Sequence, residues 1–139
     1  MKTITADLLE KLKNTDNIKN FLEENTSSFI NITTVEFLSD MLVEKNITIG
    51  AVSKASGIGE YVYKIFSGER KTTRDSLIAI AFAMDMSLAE IQLLLRISKF
   101  AILDSRDKRD SVIIHSIINN LSVFEADDVL ASNELLTIN

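Results

Sequence analysis

The side chains best placed to make chemistry with a partner lie just beyond the middle of the chain. Val62, Ile65 and Phe66 recur at helical spacing and define an inward side for the segment 60–67. On that reading Glu60, Tyr61, Lys64 and Ser67 face outward, with Gly59 opening the segment. A lysine there can donate to guanine and a glutamate can accept from cytosine N4, each worth ~1–3 kcal/mol of base discrimination when well placed. Arg70 and Lys71 follow directly, where cations would meet phosphate oxygens. Solvated surface is the plainer account of most charges in this chain, but these two are set apart by what precedes them.

Positioning these groups needs a rigid frame, and residues 47–68 read as one. Thr48 can cap a first short helix whose inward side carries Ala51, Val52 and Ala55. Gly57 sits where the chain must turn sharply, a place where a residue without Cβ costs least. Ile58 re-enters the core, the outward-facing segment follows, and Gly68 ends it. Two helices joined at a glycine turn, the second exposing polar side chains, is the build of a helix-turn-helix DNA reader.

The residue order resembles the lambda-repressor/Cro-like helix-turn-helix family, also called the xenobiotic-response-element family. The likeness rests on Thr48, Ser53, Gly57-Ile58, Ile65-Phe66-Ser67-Gly68, Arg70-Lys71 and the apolar run Leu77-Ile78-Ala79-Ile80-Ala81, and covers roughly residues 35–95. It implies a five-helix core in which residues 60–67 enter the major groove. Thr48 would lie against the phosphates, and Arg70, Lys71 and Thr73 would contact the backbone at the next loop. A dimer is expected, because one short recognition helix reads few base pairs. Two positions depart from the pattern. Ile49 stands where the family usually carries a glutamine, and Gly57 to Gly68 is one residue shorter than the commonest spacing.

Composition bounds the alternatives. A chain of 139 residues with 46% hydrophobic and 25% charged residues suits a globular fold. Its net charge of −5 is unusual for a DNA binder, but the charge is unevenly placed. Residues 47–110 hold ten Lys+Arg, including every Arg, against eight acids, whereas residues 111–139 hold four acids and no Lys or Arg. There is no cysteine, so disulfides, thiolate metal sites and cysteine nucleophiles are excluded. No apolar run reaches a membrane-spanning length of ~18–20 residues and no signal-peptide core opens the chain, so a cytoplasmic protein is expected. His115, the single histidine, falls among isoleucines and reads as a packed or half-exposed structural residue. No catalytic constellation, phosphate loop or metal-ligand spacing is present, so neither enzyme activity, a cofactor nor a bound metal is expected.

With no proline and four glycines, helices should dominate. Capping boxes are legible at Thr33/Glu36, Ser87/Glu90 and Ser122/Glu125. Helices are predicted near 5–13, 16–25, 34–45, 48–56, 60–67, 74–84, 88–99, 108–119 and 123–133. Residues 74–103 align with 109–138 at an offset of 35, with seven of thirty positions identical, among them Arg-Asp-Ser, Ser87/Ser122 and Glu90/Glu125. Each unit reads as a helical hairpin, and two units are expected to stack on one another. In the segment between them, Asp107 and Asp110 read as helix N-terminal capping plus local ion pairs, since acids sit favourably in a first turn. At the N-terminus Ile4, Leu8, Leu9 and Leu12 form one stripe and Ile18, Phe21 and Leu22 another, an amphipathic hairpin that packs on its own domain or swaps onto a partner chain.

The expected architecture is all-α: a lambda-repressor-like helix-turn-helix core at 33–103, an N-terminal helical hairpin at 1–30 and a C-terminal hairpin at 104–139. The expected function is sequence-specific binding of double-stranded DNA by a dimeric transcriptional regulator. The alternative is a protein-interaction module, antitoxin-like or phage-derived among others, that kept the fold without DNA affinity.

Overall fold

Short polar caps punctuate this chain, and the segments between them are helical. The computed structural model describes residues 3–25 and 32–139, which belong to two units, 1–31 and 32–139. Among the described residues there are nine helices and no strand: α1 (Ile4–Lys13), α2 (Ile18–Glu24), α3 (Thr34–Lys45), α4 (Ile49–Ser56), α5 (Tyr61–Phe66), α6 (Arg74–Ala83), α7 (Leu88–Ile97), α8 (Lys108–Ile118) and α9 (Val123–Ser132). The protein is all-α. No described helix is long and apolar enough to cross a membrane.

Eight of these helices start on a side chain that accepts from the amide three residues on, at Thr3, Asn17, Thr33, Thr48, Thr73, Ser87, Asp107 and Ser122. Each such bond satisfies one of the amides that a helix start leaves unpaired. Ser87 and Ser122 complete reciprocal capping boxes with Glu90 and Glu125. At Thr33 only half of the expected box forms, because Thr33 caps Glu36 while the exposed Glu36 carboxylate makes no return bond. Five of the stops follow one rule. Asn46, Asp85, Lys99, Asn120 and Glu134 all adopt left-handed backbone, with φ between 52° and 62°. In each case the next residue, Ile47, Met86, Phe100, Leu121 or Leu135, returns its amide to a carbonyl five residues back. These are Schellman ends built without glycine, each closed by an apolar residue, of which Ile47, Met86, Phe100 and Leu135 pack on the core.

In the first unit α1 buries no side chain, and Ile4, Leu9, Leu12, Ile18 and Leu22 are exposed. Among its described residues Phe21 and Asn25 are buried, and Lys11 bridges α1 to α2 through Asn25 Oδ1 at 3.1 Å. The polar run Thr26-Ser27-Ser28, whose composition predicts a loop, lies outside the described residues.

The second unit is organised around α6. Leu77, Ile78, Ala79, Ile80 and Ala81 are all buried, so this helix is apolar on every side and must be covered on every side. It packs against α4, α7 and α9, while α7 packs against α3 and α8. On α4 the inward side is Val52 and Ser56, with Ile49 partly buried; Ala51 and Ala55, expected inside, are exposed.

The two hairpins α6–α7 and α8–α9 meet through contacts that repeat at the offset of 35. Arg74 forms a bidentate pair with Asp110 at 2.9 and 3.2 Å, and Arg109 forms the reciprocal pair with Asp75 at 3.0 and 3.1 Å. Arg74 also donates to the Ala101 and Ile102 carbonyls, and Arg109 to those of Leu136 and Thr137. With α6 on α9 and α7 on α8, this is the pattern of a two-fold pair folded into one chain. Asp107 caps α8 as its position suggested. Asp110 does not pair locally: it is buried against Arg74 and also accepts from the Asp104 amide at 3.1 Å.

Candidate nucleic-acid interface

Thr48 opens α4 by accepting from Ala51 N at 3.1 Å, so its hydroxyl is engaged in the cap. α4 ends at Gly57, whose φ of 80° is left-handed, and Gly59 follows at φ 60°. These two positive values turn the chain within four residues, and Ile58 anchors the turn by packing on the core. Helix α5 then begins at Tyr61 with Glu60 at its cap position, exposed and making no capping bond.

Val62, Ile65 and Phe66 are buried, as the spacing requires. The opposite edge carries Glu60, Tyr63, Lys64 and Ser67, all exposed, at helical intervals of three and four. Tyr61 was expected on this edge and is not there. It is half-buried against the core, and its hydroxyl donates to the Lys71 carbonyl at 3.0 Å. The reason is angular: position 61 lies about 100° from position 60 and turns toward the side of Ile65, whereas 63 lies with 60 and 67. The complement of 62, 65 and 66 at that spacing is 60, 63, 64 and 67, which was the signal available. Tyr63 reaches over the first turn of α4, where a Cβ on Gly50 would come 3.4 Å from its hydroxyl. Ile49, Tyr63, Lys64, Phe66, Ser67 and Glu69 line a shallow cleft of about 490 Å³ between the two helices.

The basic loop is folded back onto α5. The Lys64 carbonyl receives the Ser67 hydroxyl at 3.0 Å and the amides of Glu69 and Arg70 at 3.1 and 3.3 Å. Gly68, at φ 75°, makes this reversal possible. Arg70 and Lys71 are exposed, and among the described residues neither they nor Lys64 join an ion pair. Thr73 caps α6, accepting from Ser76 N at 3.1 Å and sharing a hydrogen bond with the Ser76 hydroxyl at 3.0 Å. Three cations, Lys64, Arg70 and Lys71, thus stand beside two exposed acids, Glu60 and Glu69.

Away from this face, His115 is exposed on α8 rather than packed, and its carbonyl accepts from the Asn119 side chain. The Glu90 carboxyl is held below its ordinary pKa. Partial burial of Glu90 would raise its pKa, but the Ser87 amide and the Lys45 ammonium at 3.1 Å outweigh this and hold it below the ordinary value. No group of three or more acids and histidines among the described residues is arranged to hold a metal ion. No protein-family model matches this chain, nor does any curated protein or solved structure.

Proposed function

We propose that the face formed by α4, the Gly57–Gly59 turn, α5 and the 68–73 loop binds double-stranded DNA, as the lambda-repressor-like reading of the sequence implies. One observation carries this most: an exposed edge of Glu60, Tyr63, Lys64 and Ser67 stands directly beside the exposed Arg70 and Lys71, with their backbones tied together at the Lys64 carbonyl. Groups that read bases and groups that neutralise phosphate must keep a fixed spacing, and this tie supplies it. In this reading α5 enters the major groove and Arg70 and Lys71 meet the backbone. The first turn of α4 approaches phosphate through its amides and through the Thr48 hydroxyl, which accepts in the cap and keeps its proton to donate; the start of α6 does so through amides near Thr73, whose hydroxyl donates to Ser76. One helix of six residues reads few base pairs, so the regulator acts as a homodimer on a two-part site.

The interaction-module reading is favoured by a different observation. Glu60 and Glu69 offset two of the cations Lys64, Arg70 and Lys71, and Ile49 contributes an apolar side chain to the lining of the cleft. Selection of bound duplexes from a random library, followed by sequencing, separates the two readings. A DNA reader recovers a two-part consensus; an interaction module recovers no enrichment. Glu60→Gln then sorts the acid's role. A base reader loses preference at one base pair, while a repelled bystander gains affinity for every duplex.

A further inference from the structure

The last carbonyls of a helix have no helical amide to receive. In α4 one of these, the Ser56 carbonyl, accepts from Nδ2 of Asn139 at 3.0 Å, across 83 residues of sequence. Asn139 is itself fixed in place. The Asp127 carboxylate accepts from the Ile138 amide at 2.6 Å and from the Asn139 amide at 3.2 Å, and the Ile138 side chain is buried. Phe124, at the start of α9, lies on the same turn. A Cβ built on Gly57 would come within 2.5 Å of Asn139 Nδ2 and 3.0 Å of Phe124 Cε1. Gly57 is therefore demanded twice, by its positive φ and by what is seated on it.

The first hairpin has half of this device. Gln92, the counterpart of Asp127, clasps both the amide and the carbonyl of Leu103 at 2.8 and 2.9 Å. The counterpart of Asn139 is Asp104, which instead accepts from the Arg106 amide in the connecting segment. The bond from Asn139 to the end of α4 therefore has no counterpart in the first hairpin.

We propose that the second hairpin is a clamp on the α4–α5 turn, with Asn139 and Phe124 as positioning residues and Asp127 holding Asn139 in register. Its consequence rests on the DNA-binding reading. The turn sets where α5 starts, so the clamp fixes the base-facing edge of Glu60, Tyr63, Lys64 and Ser67. Base readout needs that edge held closely, whereas phosphate contact tolerates displacement. The clamp thus supports selectivity more than general affinity.

The test uses the full chain carrying Asn139→Asp, which keeps the shape but replaces the donor by an acceptor, and separately Asp127→Ala. Two quantities are read: amide hydrogen exchange across residues 57–62, and the ratio of affinities for a selected and a scrambled duplex. Loss of one hydrogen bond should quicken exchange at 57–62 by about 2- to 10-fold while α6 and α7 keep their protection. The affinity ratio should fall by a similar factor with scrambled-duplex binding unchanged. If Asp127→Ala fails to fold, Asn139→Asp alone decides. Unchanged exchange at 57–62, or equal quickening across the whole unit, overturns the clamp. Quicker exchange with an unchanged ratio overturns its link to base reading. Quicker exchange in a protein whose parent binds no duplex removes the DNA reading and leaves the clamp standing.

Discussion

Ile80 and His115 hold the same place in two hairpins of common design, yet one is fully buried and the other exposed. Met84 and Asn119 make the same contrast one turn further on. The cause lies in what each hairpin must cover. Helix α6 is packed by α4 as well as by its own partner helices, so its outer face must be apolar. That face on α8 is polar instead, which makes His115 and Asn119 ordinary there. The two hairpins share the Arg-Asp pairs that join them, together with capping boxes and left-handed stops that are internal to each. They are alike where they meet each other and differ where their surroundings differ.

Exchanging the divergent positions should have the largest effect. Ile80→His puts an imidazole where no solvent reaches and no partner waits, and should cost about 3 kcal/mol or prevent folding. His115→Ile should change stability by no more than about 0.5 kcal/mol, as expected of an exposed site. Urea denaturation of both variants measures the difference, and equal effects would break the comparison.

The shared positions should behave unequally for a subtler reason. Asp110 is buried and also receives the Asp104 amide, whereas Asp75 is 43% exposed at its side chain. Asp110→Ala should cost about 2 kcal/mol by taking the carboxylate from Arg74 and the acceptor from the Asp104 amide, and Asp75→Ala about 1 kcal/mol or less. Thermal melts of the two single variants give the ordering directly.

Glu90 and Glu125 sharpen the contrast at the smallest scale. Both close capping boxes, but Glu90 has Lys45 at 3.1 Å as well. Glu90→Gln should therefore cost about 0.5 kcal/mol more than Glu125→Gln near neutral pH. Because the Glu90 pKa is lowered on folding, its extra stability is present above the ordinary value of 4.5 and is lost as pH falls through the lower folded value. Denaturation at pH 7 and at acid pH should show the difference between the two variants shrinking.

The same contrast explains what was legible beforehand. All nine described helices lie within a few residues of their predicted spans, because hydroxyl caps and apolar periodicity are local signals. The repeat was legible too, since its register is carried by identical residues. Left-handed stops at Lys99 and Glu134 carry no such mark, because neither is glycine or asparagine. Asp110 looked like a first-turn acid, as its pairing with Arg74 depends on how two hairpins dock and not on neighbours in sequence. Tyr61 and Tyr63 were exchanged although Val62, Ile65 and Phe66 set a phase that places 63, and not 61, with 60, 64 and 67. Asn139 on Ser56 joins residues 83 apart, beyond any local pattern.

The claim at the centre is that the α5 edge and the basic loop meet DNA together, and its salt dependence tests this most directly. Affinity for a duplex should be measured against salt concentration for the parent protein and for Arg70→Ala/Lys71→Ala. The account predicts that log affinity falls linearly with log salt, and that the double variant loses about 1.8 from the slope, ~0.9 for each phosphate contact removed, on every duplex alike. An unchanged slope would take this loop out of the interface, and no binding by either protein at low salt, to roughly 100 μM, would contradict the DNA reading itself.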